Sequence, residues 1–364
     1  MQEILYTLKN FKIGGVMTEL TGKERVQKVF RREPVDRMPC FSGQGAVTVQ
    51  AIEKMGTQFA KIHNDAALMA GAALTSAKMW GLDAVVVPFD MATVAEAMGR
   101  GVSLYDNAEG IIYPTVPNKW KDLDEIDIPG DFMSKGRMPV VDKAIEILKK
   151  DAPDLALGAW VLGPFTLAGQ IMELDILLKG LKKKAEQIEA FLGQVTKVTI
   201  DLAKHYESLG VDFITVREMG SGTDLLSPRM WKTLIQPNLT RVFDAISIPS
   251  VNHICGSTDM IIEMMHECGA DAISVDQKNN IAETRKKLGN EVLILGNFDP
   301  YGTLTTLEDT AAVAEVIKKC IDNGVDSVWP GCDIWPDVRK ENMETYVQTV
   351  REYGRKPTPA TKRI

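Results

Sequence analysis

Histidine and cysteine, the side chains best suited to a transition metal, are scarce here: four and five in 364 residues. The five cysteines, Cys40, Cys255, Cys268, Cys320 and Cys332, are odd in number and contain no C-x-x-C pair. That excludes a disulfide framework and a dithiol redox motif, leaving reduced thiols that are buried or bound to metal. Positive charge is also in deficit, with 42 Lys and Arg against 49 Asp and Glu, a net charge of −7 and a pI near 5.4. No overall field attracts a phosphate backbone, so nucleic acid is not an expected partner. No apolar run approaches the ~18 residues of a membrane span. The first residues carry an acidic Glu3 and no small-residue cleavage site, so a membrane is not expected either and the expected location is cytoplasmic. Neither G-x-G-x-x-G nor G-x-x-x-x-G-K-[ST] follows an apolar run, which disfavours an open dinucleotide-binding or nucleotide-triphosphate sheet.

What is present is an ordinary apolar fraction, 45%, arranged in a recurring order. Short β-branched runs end in a polar or small residue and are followed by longer stretches with apolar residues three and four apart. Eight such runs occur, at 38–42, 84–90, 155–164, 213–219, 249–255, 272–277, 292–300 and 327–333. Strand and helix alternating in this way predict a distorted (β/α)₈ TIM barrel with one core spanning residues 18–355. Residues 1–17, with a second methionine at Met17, read as an N-terminal helical extension, and 356–364 as a polar tail.

In a barrel, reactive groups gather where strands end. His253 and Cys255 stand two positions apart at the end of one run, so a strand projects both side chains from the same face. Cys332, in Pro330-Gly331-Cys332-Asp333, ends the last run and is brought round to them by barrel closure. One imidazole and two thiols suit Zn²⁺ better than Mg²⁺ or Ca²⁺, and three protein ligands leave a fourth position open for catalysis. Asp276 can supply a displaceable fourth oxygen, accept a proton, or only hydrogen-bond behind the ligands. Asp90 and Glu218, also at strand ends, are either catalytic carboxylates or helix caps. Cys268 and Cys320 lie in helical patterns and read as small packing residues; His266 reads as helical and partly exposed, and His63 and His205 lie in helical, polar-flanked segments, none of the three being read as a ligand; Cys40 has no assignment.

Gly163-Pro164-Phe165-Thr166-Leu167-Ala168, Glu33-Pro34-Val35-Asp36-Arg37-Met38-Pro39 and Leu226-Ser227-Pro228 resemble the uroporphyrinogen decarboxylase superfamily over nearly the whole chain. Within it, His253-Ile254-Cys255-Gly256 with Pro330-Gly331-Cys332 resembles the zinc-dependent branch, the methylcobamide:coenzyme M methyltransferases. The resemblance implies Zn²⁺ on His253, Cys255 and Cys332, with Asp276 at the place of a labile acidic ligand. It also implies methyl transfer from a methylated corrinoid to coenzyme M through a zinc-bound thiolate. Asp90 matches the catalytic aspartate of the decarboxylases, but the stretch Phe41-Ser42-Gly43-Gln44-Gly45-Ala46 lacks the arginines with which they hold substrate carboxylates. D-x-H-x-x-G, the corrinoid-holding motif of carrier proteins, is absent at all four histidines, so the methylcobamide is expected on a separate corrinoid carrier protein. The alternatives are methyl transfer to another acceptor such as tetrahydrofolate, and tetrapyrrole decarboxylation using Asp90.

Overall fold

The apolar runs form strands buried at every position, the pattern of a parallel sheet covered on both faces. The computed structural model describes residues 19–355. Seven strands, β1 (Ala84–Val87), β2 (Ala156–Leu162), β3 (Phe213–Arg217), β4 (Ser250–Ile254), β5 (Ala272–Val275), β6 (Leu293–Phe298) and β7 (Ser327–Pro330), pair in sequence order and all in parallel. Helices cover the outside, and their ends follow from local chemistry. Asp65, Asn280 and Asp309 each accept a backbone N–H at the start of a helix, and Gly81 ends the helix Ala66–Trp80 at φ 73°. The fold is a distorted β/α barrel. The predicted extension at 1–17 and tail at 356–364 lie outside the described residues.

One strand expectation is corrected. Residues 38–42 form no strand, so among the described residues the sheet has seven members and β7 does not pair with β1. The segment nevertheless occupies that gap. Its backbone is held by Asp83 N–H donating to the Cys40 carbonyl (2.8 Å), Cys40 N–H donating to Asp83 Oδ2 (2.7 Å) and Ser327 Oγ donating to the Pro39 carbonyl (2.9 Å). One backbone bond and two side-chain bonds thus stand in for the regular ladder. Phe41 packs edge-on against Phe213 of β3 and Trp329 of β7, at 5.7 and 4.9 Å between ring centroids, and closes the barrel interior. Asp83 also takes Arg25 Nη1 (2.7 Å) and both Arg37 terminal nitrogens (2.8 and 2.9 Å), a buried ion cluster that fixes the segment to the start of β1. Cys40, left unassigned by the sequence, is fully buried in this seam, where burial pushes its thiol up to about 12.

Strand register sets the site. Arg217 is opposite His253 across β3 and β4, and His253 is opposite Ser274 across β4 and β5. Three polar side chains therefore stand in one row at the carboxyl ends of three adjacent strands.

Candidate functional site

His253 is fully buried near the end of β4, and Cys255 follows two residues later. The imidazole Nε2 lies 3.2 Å from Cys255 Sγ, which lies 3.2 Å from Cys332 Sγ beyond the end of β7. The three candidate ligands are brought together. Among the described residues no group of three or more His, Cys, Asp and Glu side chains is placed to hold a metal ion; these three lie in hydrogen-bond contact in a row, His253 to Cys255 to Cys332. On the far side of the ring, His253 Nδ1 is 2.9 Å from Ser274 Oγ and 3.5 Å from Gln44 Nε2. Nδ1 is thereby braced and Nε2 is directed at the thiols.

Burial, assisted by the Arg217 charge, pushes the His253 imidazolium down to about 3, so the ring is neutral. The two thiols titrate together. Cys332 ionises first, because its sulfur accepts the Cys255 S–H; the same bond holds the Cys255 proton on, with burial acting in the same direction. Arg217 favours the anionic form of both sulfurs. Its guanidinium is buried, lies 4.6 Å over the Trp160 ring and donates through Nη2 to Asp333 Oδ2 at 2.5 Å and Met219 Sδ at 3.2 Å.

The three carboxylates have different surroundings. Asp276, beyond β5, accepts the Gly256 N–H through Oδ2 and the Lys278 N–H through Oδ1, each at 2.9 Å. It braces the loop that carries Cys255. Glu218, beyond β3, accepts Phe165 N–H (3.0 Å), Thr166 N–H (2.7 Å) and Thr166 Oγ1–H (2.6 Å) at the first turn of the helix Pro164–Ile171. Burial raises its carboxyl to about 7 against the pull of those donors. Asp90 is the most saturated. Oδ2 receives His63 Nδ1 (3.0 Å) and Arg137 Nη1 (2.8 Å), while Oδ1 receives Arg137 Nη2 (3.1 Å), Ala92 N–H (2.9 Å) and the Thr93 hydroxyl (3.4 Å). Although burial opposes ionisation, His63 and Arg137 hold this carboxyl down at about 2. None of the three shares a hydrogen bond with His253, Cys255 or Cys332 through its own side chain.

Arg217, Ser274 and Gln44 join the site without a motif to mark them. Arg217 offers one signal in retrospect: a cation closing an otherwise apolar strand run has no solvent to face in a barrel interior. His63, not read as a ligand from its polar-flanked helical segment, is wholly buried with Nδ1 on Asp90 and a partnerless Nε2 among the Phe59, Phe89 and Tyr113 rings. Among the described residues no helix is long and apolar enough to cross a membrane.

Comparison with known proteins gives consistent matches. The profile of the family described as uroporphyrinogen decarboxylase (URO-D) matches residues 21–353. The chain is 29% identical to a methylcobamide:CoM methyltransferase, MtaA, of Methanosarcina barkeri, over 93% of this chain and 99% of that protein. It is 31% identical to a methylcobamide:CoM methyltransferase, MtbA, of Methanosarcina acetivorans, with the same coverage. The solved structure of a methyltransferase from Methanosarcina mazei superposes with a TM-score of 0.85 at 27% identity, covering 91% of this chain and 98% of that one.

Proposed function

Because the chain belongs to the uroporphyrinogen decarboxylase family, we propose that it is a cytoplasmic methyltransferase that moves a methyl group from a methylated corrinoid, presented by a carrier protein, to the sulfur of coenzyme M. The observation that carries this reading is the cluster at the barrel mouth in which one neutral imidazole contacts the Cys255 thiol and that thiol contacts Cys332. Two sulfurs and one nitrogen form a donor set that suits Zn²⁺, and the Ser274 brace on Nδ1 is the outer support such a histidine ligand needs. His253, Cys255 and Cys332 would hold the metal. When bound there, zinc lowers the pKa of an acceptor thiol and keeps its sulfur anionic.

The chain's own residues do the rest. Ser274 fixes the ring orientation, Asp276 fixes the Cys255 loop, and Arg217 favours the anionic form of both cysteine sulfurs. Asp90 and Glu218 hold the frame in this reading and touch no reacting atom. In the reaction, the acceptor sulfur attacks the methyl carbon, an S–C bond forms, and the Co–C bond breaks with its electron pair left on cobalt. Apolar side chains face solvent just beyond the strand ends, with Leu225 after β3, Met260 after β4, and the Tyr301 and Trp335 rings in contact after β6 and β7. Such a rim suits the docking of a carrier that brings a large apolar macrocycle. Decarboxylation through Asp90 is not favoured, since both its oxygens are already engaged.

The test is to supply purified protein with zinc, methylcobalamin and coenzyme M and follow the loss of methyl-Co(III) absorbance. Cys255→Ser and Cys332→Ser should each lose both bound zinc and turnover. Full activity of a metal-free preparation would overturn the zinc assignment, and no methyl transfer with any thiol would overturn the reaction.

A further inference from the structure

Arg217 is a buried cation with few partners. Only 2% of its side chain is exposed, yet every hydrogen bond its guanidinium makes among the described residues leaves from Nη2, and its buried Nε has no partner there. A guanidinium carries five N–H donors in a flat fork made for planar or tetrahedral anions. Such a group is stable this deep only with an anion beside it. Asp333 provides that anion, and its side chain is 46% exposed. The partner that can leave is the carboxylate, which can swing into water while the arginine stays where Trp160 and the strand hold it.

Position gives the arrangement its meaning. Arg217 is the register neighbour of His253, and its charge acts on His253, Cys255 and Cys332 alike. Asp333 is bonded directly to Cys332 in the chain. An anion that took the place of Asp333 would carry anything attached to it to within a short spacer of the two thiols.

We propose that Arg217 is the anchor for the acceptor, binding the anionic group of a short acidic thiol in exchange for Asp333 and so selecting anionic over neutral thiols. This rests on the methyl-transfer reading above and names what that reading's site recognises. The exchange replaces one anion by another, so the charge around the buried guanidinium is conserved while the thiol of the ligand is delivered beside the sulfur cluster. A neutral thiol would leave the Asp333 pair closed and gain nothing from it.

The experiment compares 2-mercaptoethanesulfonate with 2-mercaptoethanol as acceptors for methylcobalamin at matched ionic strength. In parallel, calorimetry measures binding of ethanesulfonate, which has the anion but no thiol. The wild-type protein should prefer the anionic thiol by about 10- to 100-fold in kcat/KM, as expected for one charge-assisted pair. Arg217→Gln should abolish this preference, mainly through KM, and lose ethanesulfonate binding; Arg217→Lys should restore part of both. Asp333→Asn should bind ethanesulfonate more tightly than wild type, a gain that misfolding cannot imitate. Equal use of the two thiols by the wild-type protein, or an unchanged preference in Arg217→Gln, would overturn the anchor while leaving methyl transfer standing. Methylation of neither thiol, with Arg217-dependent ethanesulfonate binding intact, would overturn methyl transfer and leave the anchor standing.

Discussion

Glu218 and Gly163 show how tightly single residues are specified around the mouth. Gly163 has φ −63°, open to any amino acid, so its requirement is for space alone. A methyl group there would lie 2.4 Å from Glu218 Oε2 and 2.8 Å from Glu218 Cβ. Gly163→Ala should therefore cost about 1–3 kcal/mol, the usual penalty of overpacking, measured by chemical denaturation. A loss below about 0.5 kcal/mol would mean that Glu218 shifts freely. The raised Glu218 carboxyl also makes a statement about pH. Its ordinary value is 4.5 and its folded value about 7, so between these limits the folded chain binds more protons than the unfolded one. The contribution of this group is fully present below pH 4.5 and is lost as pH rises through about 7. The stability advantage of wild type over Glu218→Gln should shrink across that window, and a difference independent of pH would show the carboxyl to be ionised throughout.

At the scale of elements, the irregular segment 38–42 depends on Asp83 more than on any regular pairing. Asp83 receives Arg25, Arg37 and the Cys40 N–H together, while Asp36 binds Arg25 through both oxygens at 2.7 Å. Replacing Asp83 with Ala leaves Arg25 to Asp36 and, among the described residues, leaves the buried Arg37 guanidinium with only the Met38 carbonyl. The expected loss is about 3–5 kcal/mol of unfolding free energy. If denaturation instead shows a change under about 1 kcal/mol, the seam is held by the Phe41, Phe213 and Trp329 rings alone. The helix Pro164–Ile171 depends similarly on a distant group: its first turn is capped by Glu218, from the loop after β3, because the residue before it is a glycine with no side chain to cap it.

For the whole molecule, the barrel was legible because seven apolar runs alternate with helical patterns, and each run marks its strand to within a few residues. Residues 38–42 resembled those runs in composition, but their hydrogen bonds go to Asp83, Ser327 and the Gly354 carbonyl and not to a neighbouring strand, which no local pattern reveals. His253 and Cys255 were legible from the two-residue repeat of a strand, and Cys332 from barrel closure. The surroundings of Asp90 were not, since its partners His63 and Arg137 lie far along the chain on either side and meet only in three dimensions. Arg217 was hidden for a related reason: its importance lies in the hydrogen bonds it does not make, and a sequence records donors without recording their vacancies.

The unpaired seam between β7 and β1 also sets an order of events during synthesis. The Ser327–Pro39 bond and the Gln50 Nε2 bond to the Val338 carbonyl each span 288 residues, and the Val49 N–H reaches the Pro336 carbonyl beside them. A growing chain can pair β1 through β6 as they emerge, but residues made among the first must wait for those made near the last. Contacts of such long sequence separation are slow to form and leave apolar surface exposed in the interim. Gln44, whose amide approaches His253, belongs to the waiting stretch, so the imidazole environment matures only when the seam shuts, and a nascent chain halted before Ser327 carries its catalytic strands without a finished site.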